Sequence, residues 1–307
     1  MTRAVVFAYH NVGLRCLAVL LAHGVDVALV VTHRDSPGEA IWFDSVAELA
    51  AQHGIPSITP DDPNDPAIVA RIAALSPDFI FSFYYRLMLK APLLAVAASG
   101  AWNMHGSLLP KYRGRAPVNW AVLQGERETG ATLHRMLEKP DAGALVAQQA
   151  VPILPDDTAL EVFLKVTVAA EIVLDKALPG LLAGTAPELP QDLSLGSYFG
   201  GRNPEDGRID WRQPAPAIHN LVRAVAPPYP GAFCDTPFGR LRVLKSFLIS
   251  GQCSHSPEPI LYSERGQLLV DCGQASVLRL MKAELDGKVL DAEGFAARFG
   301  AQKISLA

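Results

Sequence analysis

The chain is poor in cysteine and has no paired ones. Cys16, Cys234, Cys253 and Cys272 are the only four in 307 residues, and no two stand at C-x-x-C spacing. That argues against a disulfide framework or a thiolate metal site, and reduced thiols are expected. No apolar run approaches the ~18–20 uninterrupted residues that a membrane helix needs. The opening MTRAVVFAYHNVG lacks the longer apolar region and small-residue cleavage site of a secretory signal. A cytoplasmic address without membrane insertion is the expectation. An excess of one charge is also missing: 27 Lys and Arg stand against 31 Asp and Glu, a net charge of −4. Such a balance gives no global field for a polyanion, so nucleic acid is not an expected partner, although a local basic patch could still bind anions. No G-x-G-x-x-G follows the first apolar run, and no G-x-x-x-x-G-K-[ST] occurs. The common dinucleotide and P-loop signatures are therefore absent. Internal repeats and low-complexity segments are absent as well.

What remains is a composition half hydrophobic and 19 % charged, that of a globular chain with a sizeable core, long enough for two domains. Apolar runs at Ala4–Ala8, Val25–Val31, Ile55–Thr59, Phe79–Phe83 and Gly100–His105 read as buried strands. Helical periodicity fills the gaps at 13–23, Ser45–His53 (with Gly54 placed to end it) and Pro66–Leu75. Strands alternating with helices predict a Rossmann-like, mostly parallel sheet with helices on both faces, an α/β fold. A helix at Val118–Leu123 and strands at Thr132–Met136 and Ala144–Ile153 follow. Thr158 and Glu161 then form a T-x-x-E capping box at the head of a long apolar helix, which Pro179 and Gly180 are expected to end. The Gly- and Pro-rich stretch 184–214 reads as a linker. A short helix at Ala215–Ala226 and strand-like segments at Leu241–Phe247, Pro259–Tyr262, Leu268–Val270 and Val277–Leu280 predict a small C-terminal β-rich, barrel-like (OB-like) domain. The boundaries so drawn are 1–188 for the first domain, 189–206 for the linker and 207–307 for the second domain.

The chemistry-bearing stretch runs from Asn103 to Pro117. On a strand, Asn103 and His105 lie two apart and face one side, at the carboxyl end where open α/β sheets place their sites. A carboxamide can donate to a developing oxyanion, and an imidazole can move protons near neutral pH. By itself an N-x-H pair reads as readily structural. Asp141, in Pro140-Asp-Ala-Gly143, is a carboxylate that could stabilise an imidazolium. Taken alone it reads as a turn residue, and spacing cannot bring it to His105.

Asn103-x-His105-x-Ser107-Leu-Leu-Pro110, followed by Asp141-x-Gly143, resembles the pattern of the 10-formyltetrahydrofolate-dependent formyltransferases. Among them the chain is most similar to the sugar-nucleotide branch, in particular the formyltransferase half of the bifunctional polymyxin-resistance enzymes. The stretches that carry this are Val5–His10, Phe81–Arg86, Asn103–Pro117, Thr132–Met136, Asn220–Val225 and Pro230–Phe233. The resemblance weakens after about Phe247. Where the methionyl-tRNA enzymes have a Gly-Thr-Pro turn, this chain has Ala8-Tyr9-His10. The second, NAD-dependent half of the bifunctional enzymes has no counterpart here, so a stand-alone enzyme or one half of a longer one is expected.

The resemblance implies transfer of a formyl group from 10-formyltetrahydrofolate to the amine of a sugar nucleotide. UDP-4-amino-4-deoxy-L-arabinose, an acceptor of lipid A modification and polymyxin resistance, is the foremost candidate. It implies catalytic roles for Asn103, His105 and Asp141, and no metal. It also implies folate contacts from Leu87, Met88, Leu89 and Arg115 and from the loop Leu137, Glu138, Lys139 and Pro140. Leu87–Leu89 read equally as core packing, and Arg115 as an exposed arginine. Arg202, in Phe199-Gly-Gly-Arg202, is the candidate for a diphosphate contact, against a solvated linker arginine. His134 and His219 read as satisfied structural histidines. His10, His33 and Asp35 follow strands and receive no role. The rival functions are methionyl-tRNA formylation and non-catalytic binding of folate or nucleotide. The sequence does not report the oligomeric state.

Overall fold

The computed structural model describes residues 2–36, 38, 40–249, 251 and 253–306. The chain divides into two compact units, one built from 1–117, 128–152 and 163–200, the other from 118–127, 153–162 and 201–307.

The first unit begins with β1 (Arg3–Ala8), α1 (His10–Ala22), β2 (Asp26–Val31), α2 (Val46–Gln52), β3 (Ser57–Ile58), α3 (Pro66–Ala74), β4 (Phe79–Phe83), α4 (Ala91–Leu94) and β5 (Ala101–His105). Along the chain then come β6 (Arg113–Gly114), α5 (Pro117–Leu123), β7 (Glu128–Arg135), β8 (Leu145–Pro152), α6 (Ala159–Leu182) and β9 (Tyr198–Phe199), of which α5 beyond Pro117 and the first turn of α6 belong to the second unit. The main sheet has the order β3-β2-β1-β4-β5-β7-β8. β1 to β5 pair in parallel, and β7 and β8 add antiparallel.

Side-chain alternation explains why helices cover both faces. Val5 and Phe7 of β1 join Ile72 of α3 and Leu93 of α4 in one core cluster. On the opposite face α1 lies so close that a Cβ on Gly13 would sit 3.1 Å from both the Ala8 Cβ and the Phe83 carbonyl oxygen. A glycine inside that helix is what lets it approach the sheet. The strand order reverses between β1 and β4, so the crevice of the fold opens at their carboxyl ends, with the end of β5 alongside.

Local signals act as expected at most termini. The Ser45 hydroxyl accepts the Glu48 N–H to cap α2, and Asp65 accepts the Ala67 N–H ahead of Pro66 in α3. Thr158 and Glu161 form the reciprocal capping box of α6. Two local readings are corrected. First, α1 starts at His10 rather than 13, where the His10 Nδ1 accepts the Asn11 N–H and stands in for a side-chain cap. Second, α6 does not stop at Pro179 and Gly180. It runs to Leu182, because burial of Leu178 and Leu181 holds the final turn, and it ends ahead of Gly184, whose φ of +68° suits a helix terminus.

The Gly- and Pro-rich stretch is not free chain over 189–199. Leu189 and Leu145 exchange both backbone hydrogen bonds at 2.8 Å, and β9 pairs in parallel with β6.

The second unit holds α7 (Ala215–Ala224), β10 (Ala232–Thr236), β11 (Gly239–Leu248), β12 (Ile260–Glu264), β13 (Gln267–Cys272), β14 (Ser276–Leu285), β15 (Lys288–Val289), α8 (Ala292–Phe299) and β16 (Ile304–Ser305). Its antiparallel sheet, β10-β11-β14-β13-β12-β16, forms the predicted partial barrel. Ile218 and Val222 of α7 and Phe295 of α8 fill its core with Leu241, Val243, Val270 and Leu278. No helix among the described residues is long and apolar enough to cross a membrane.

Candidate active site

β5 ends on His105, and Asn103 lies two residues before it on the same face. The antiparallel register of β5 with β7 sets Asn103 opposite His134 and His105 opposite Thr132. The Asn103 Nδ2 is 3.0 Å from His134 Nε2, and His134 Nδ1 is 2.8 Å from the Arg135 carbonyl oxygen. A carbonyl only accepts, so Nδ1 carries the proton and Nε2 accepts from the Asn103 amide. That uses one of the two amide hydrogens and leaves the other for a ligand.

His105 is buried, and its Nε2–H donates to the Tyr112 carbonyl at 2.8 Å. The remaining nitrogen, Nδ1, lies 3.5 Å from Asp141 Oδ1, and the same oxygen is 3.6 Å from His134 Nε2. The proton His105 can gain or give up is therefore the one on Nδ1, facing a carboxylate. Asp141 Oδ2 accepts the Gly114 N–H at 2.8 Å. Burial opposes the charged form of Asp141. Outweighing it, the His105 charge, the nearby His134 ring and the Gly114 N–H hold its carboxyl well below the usual carboxylate range.

Backbone constraints explain the glycines of the motif. A side chain at Gly143 would overlap the Arg135 carbonyl oxygen, and one at Gly114, with φ +98°, would overlap that of Phe199. These two close approaches bring the Asp141 loop against β7 and β6 against β9. The Gln191 Nε2 donates to the carbonyls of Asp141 and Gly143 and pins the loop further. In the S-L-L-P turn, Thr132 Oγ1 donates to the Ser107 carbonyl and Gln148 Nε2 to that of Leu109.

The structure thus brings Asn103, His105 and Asp141 together and adds His134 to them. The sequence reads His134 as a satisfied structural histidine; its partners are the Arg135 carbonyl and two members of the site itself, Asn103 and Asp141. The alternation of Thr132 and His134 on a strand was the available signal, but only the register with β5 shows what they face. Leu89 is 1 % exposed and belongs to the core, whereas Leu87 and Met88 are 39 % and 50 % exposed. Leu137 is exposed, as are Glu138 and Lys139, and Pro140 is half-buried. Arg115 is exposed and its Nη2 reaches the Arg86 carbonyl at 3.4 Å. Arg202 belongs to the second unit, where its guanidinium lies 4.8 Å over the Trp120 ring and donates to the Asp206 carbonyl. Burial pushes its pKa down. His10 packs among Trp42, Phe43 and Phe163, and Asp35 accepts the Tyr9 hydroxyl. Among the described residues there is no cluster of three or more metal-ligating side chains.

Residues 14–178 match the family model described as formyl transferase, and residues 202–300 match that of the formyl transferase C-terminal domain. The chain belongs to the formyl transferase family. It is an enzyme of one-carbon group transfer. Its fold is similar to that of an N-formyltransferase from Helicobacter canadensis, solved with folinic acid and dTDP-3-aminofucose. That match has a TM-score of 0.71 and 20 % identity, over 91 % of this chain and 99 % of the other. A sugar N-formyltransferase from a Shewanella species aligns with a TM-score of 0.63 and 19 % identity, over 81 % of this chain and 99 % of the other. A glycinamide ribonucleotide transformylase from Symbiobacterium toebii aligns with a TM-score of 0.54 and 22 % identity, over 62 % of this chain and 94 % of the other.

Proposed function

We propose that this enzyme transfers the formyl group of 10-formyltetrahydrofolate to the amine of a sugar nucleotide, with UDP-4-amino-4-deoxy-L-arabinose as the foremost acceptor. The observation that carries the reading is the convergence of Asn103, His105 and Asp141 at the end of β5. Residues 1–188 carry the chemistry in this reading, and 207–307 form the appended β-rich domain.

In the reaction the amine nitrogen bonds to the formyl carbon, and the bond from that carbon to the folate nitrogen breaks. The free N–H of Asn103 donates to the oxygen that gains charge, a contribution of about 2.7–4 kcal/mol by analogy with other oxyanion donors. His105, through Nδ1, takes the proton the amine loses and returns it to the departing folate nitrogen. Asp141 holds that ring in place. The exposed Leu87, Met88 and Leu137 offer an apolar surface that suits a flat pterin, and Arg115 a charge for an anionic group. Leu89 supports that wall from the core. The backbone of Glu138, Lys139 and Pro140 supplies polar contacts. Arg202 is retained as the diphosphate candidate.

Acceptor choice and a role in lipid A modification rest on the sequence resemblance. The folate-bound and dTDP-sugar-bound relative supports a sugar amine as the acceptor class. The test is formyl transfer from 10-formyltetrahydrofolate to a panel of UDP- and dTDP-amino sugars and to methionyl-tRNA. Turnover with UDP-4-amino-4-deoxy-L-arabinose above all others is expected. Formylation of methionyl-tRNA alone, with a steep fall in affinity as salt rises, would replace this reading with the tRNA enzyme.

A further inference from the structure

The segment that leaves β4 carries Leu87 and Met88, the exposed apolar pair assigned above to the formyl donor. It is irregular chain, and its conformation comes from outside itself. Asn64, in the turn before α3, uses one Nδ2 hydrogen and its Oδ1 on it. One Nδ2 hydrogen goes to the Met88 carbonyl at 2.9 Å, and Oδ1 accepts the Lys90 N–H at 2.7 Å. The other Nδ2 hydrogen goes to Asp62 Oδ1 at 3.0 Å, and the same oxygen accepts the Asn64 N–H at 2.9 Å. At the other end of the segment the Arg86 N–H donates to His33 Nε2 at 3.0 Å, and the His33 ring stacks on Tyr85 with centroids 4.1 Å apart. The backbone on both sides of Leu87 and Met88 is therefore clasped, while their side chains stay exposed.

We infer that Asn64 is a positioning residue for the formyl donor: its carboxamide, oriented by Asp62, fixes the 86–90 segment in the shape the folate binds. The inference rests on the proposed donor reading. It assigns a purpose to a turn that the family motifs do not include. It also has a definite chemical requirement. The group at position 64 must donate twice and accept once, with its donating end toward a carboxylate and a carbonyl. Asparagine meets that requirement. Aspartate of the same size does not, because its second oxygen would face Asp62 and the Met88 carbonyl.

The test uses the full chain and folinic acid, a stable folate, in titration calorimetry, together with steady-state kinetics. Asn64→Ala should weaken folinic acid binding and raise the donor KM by about tenfold, the equivalent of one lost hydrogen bond's ordering effect. At saturating donor its kcat should stay within about twofold, and the acceptor KM should not move, because in the donor reading the segment holds the folate and not the acceptor. Asn64→Asp should be no better than Asn64→Ala. An unchanged donor KM in Asn64→Ala, or equal losses in donor KM, acceptor KM and kcat, would overturn the inference and leave the donor reading intact. Restored binding in Asn64→Asp would overturn it as well. A wild-type chain that does not bind folinic acid would overturn the donor reading and this inference together.

Discussion

His105 in the first unit and His219 in the second are both buried, and in both the ring Nε2–H donates to a backbone carbonyl, of Tyr112 and of Pro155 respectively. They differ at Nδ1. His219 Nδ1 meets the Ser246 hydroxyl at 2.9 Å, a neutral group that can donate or accept. His105 Nδ1 faces Asp141, a carboxylate only 13 % exposed that is tied to Gly114 and shared with His134. The nearest carboxylate to His219, Asp156 at 3.4 Å, is 54 % exposed and screened by water. Burial then decides the outcome at His219 and pushes its pKa down. In the proposed reading, a histidine becomes a reactive group through a buried, fixed counter-charge at the nitrogen that is free to exchange its proton. Depth alone produces a structural link, as between α7, β11 and the 155–157 turn of the second unit.

The comparison breaks if the two regions respond alike to mutation. After His105 itself, the largest effect is expected at Asn103. Asn103→Ala should cut kcat by about 10²–10³, with a melting profile close to wild type, since it removes an oxyanion donor. A loss of less than tenfold in a kinetic assay would remove Asn103 from that role.

Asp141→Asn comes next and carries a pH signature. The carboxyl of Asp141 is held below its unfolded value, so the folded state stays ionised where the unfolded chain has begun to take up a proton. Its stabilisation is complete above the unfolded value of about 3.9 and is lost as pH falls through the folded value. Denaturant unfolding should show the variant less stable by about 1–3 kcal/mol at pH 7. The gap to wild type should narrow below about pH 4. A gap independent of pH would contradict the ionic account of this loop.

The smallest catalytic effect is expected at His219. His219→Ala should cost about 1–3 kcal/mol of stability for the buried partners it leaves unmet. Its kcat/KM at a temperature where both proteins are folded should stay close to wild type. Because burial holds His219 neutral, its contribution is present above about pH 6.5 and fades as pH falls below that. A large kinetic defect without loss of stability would erase the distinction between the two histidines.

Much of this was legible in the sequence, because it is local. The apolar runs of β1 and β4 read as doubly buried strands, and Thr158 with Glu161 announced the head of α6. The N-x-H pair and D-x-G turn pointed to the residues that meet. What the sequence withheld depends on pairing between distant segments. His134 reaches Asn103 only through the β5–β7 register, and β9 sits beside β6 across more than eighty residues. The extension of α6 past Pro179 depends on where Leu181 is buried, which the periodicity of the helix does not state. Asn64 escaped for the same reason. Its partners, Met88 and Lys90, lie on the far side of α3 and β4 in sequence.

The central claim is that His105 moves the proton of the transferred amine, with Asp141 fixing its ring. Chemical rescue of His105→Ala tests it most directly. The account predicts that formyl transfer falls by about 10³ or more and rises again, dose-dependently, when free imidazole is supplied to the vacated site. A His105→Ala enzyme that keeps most of its turnover, or whose deficit imidazole leaves untouched while the fold is intact, would contradict it.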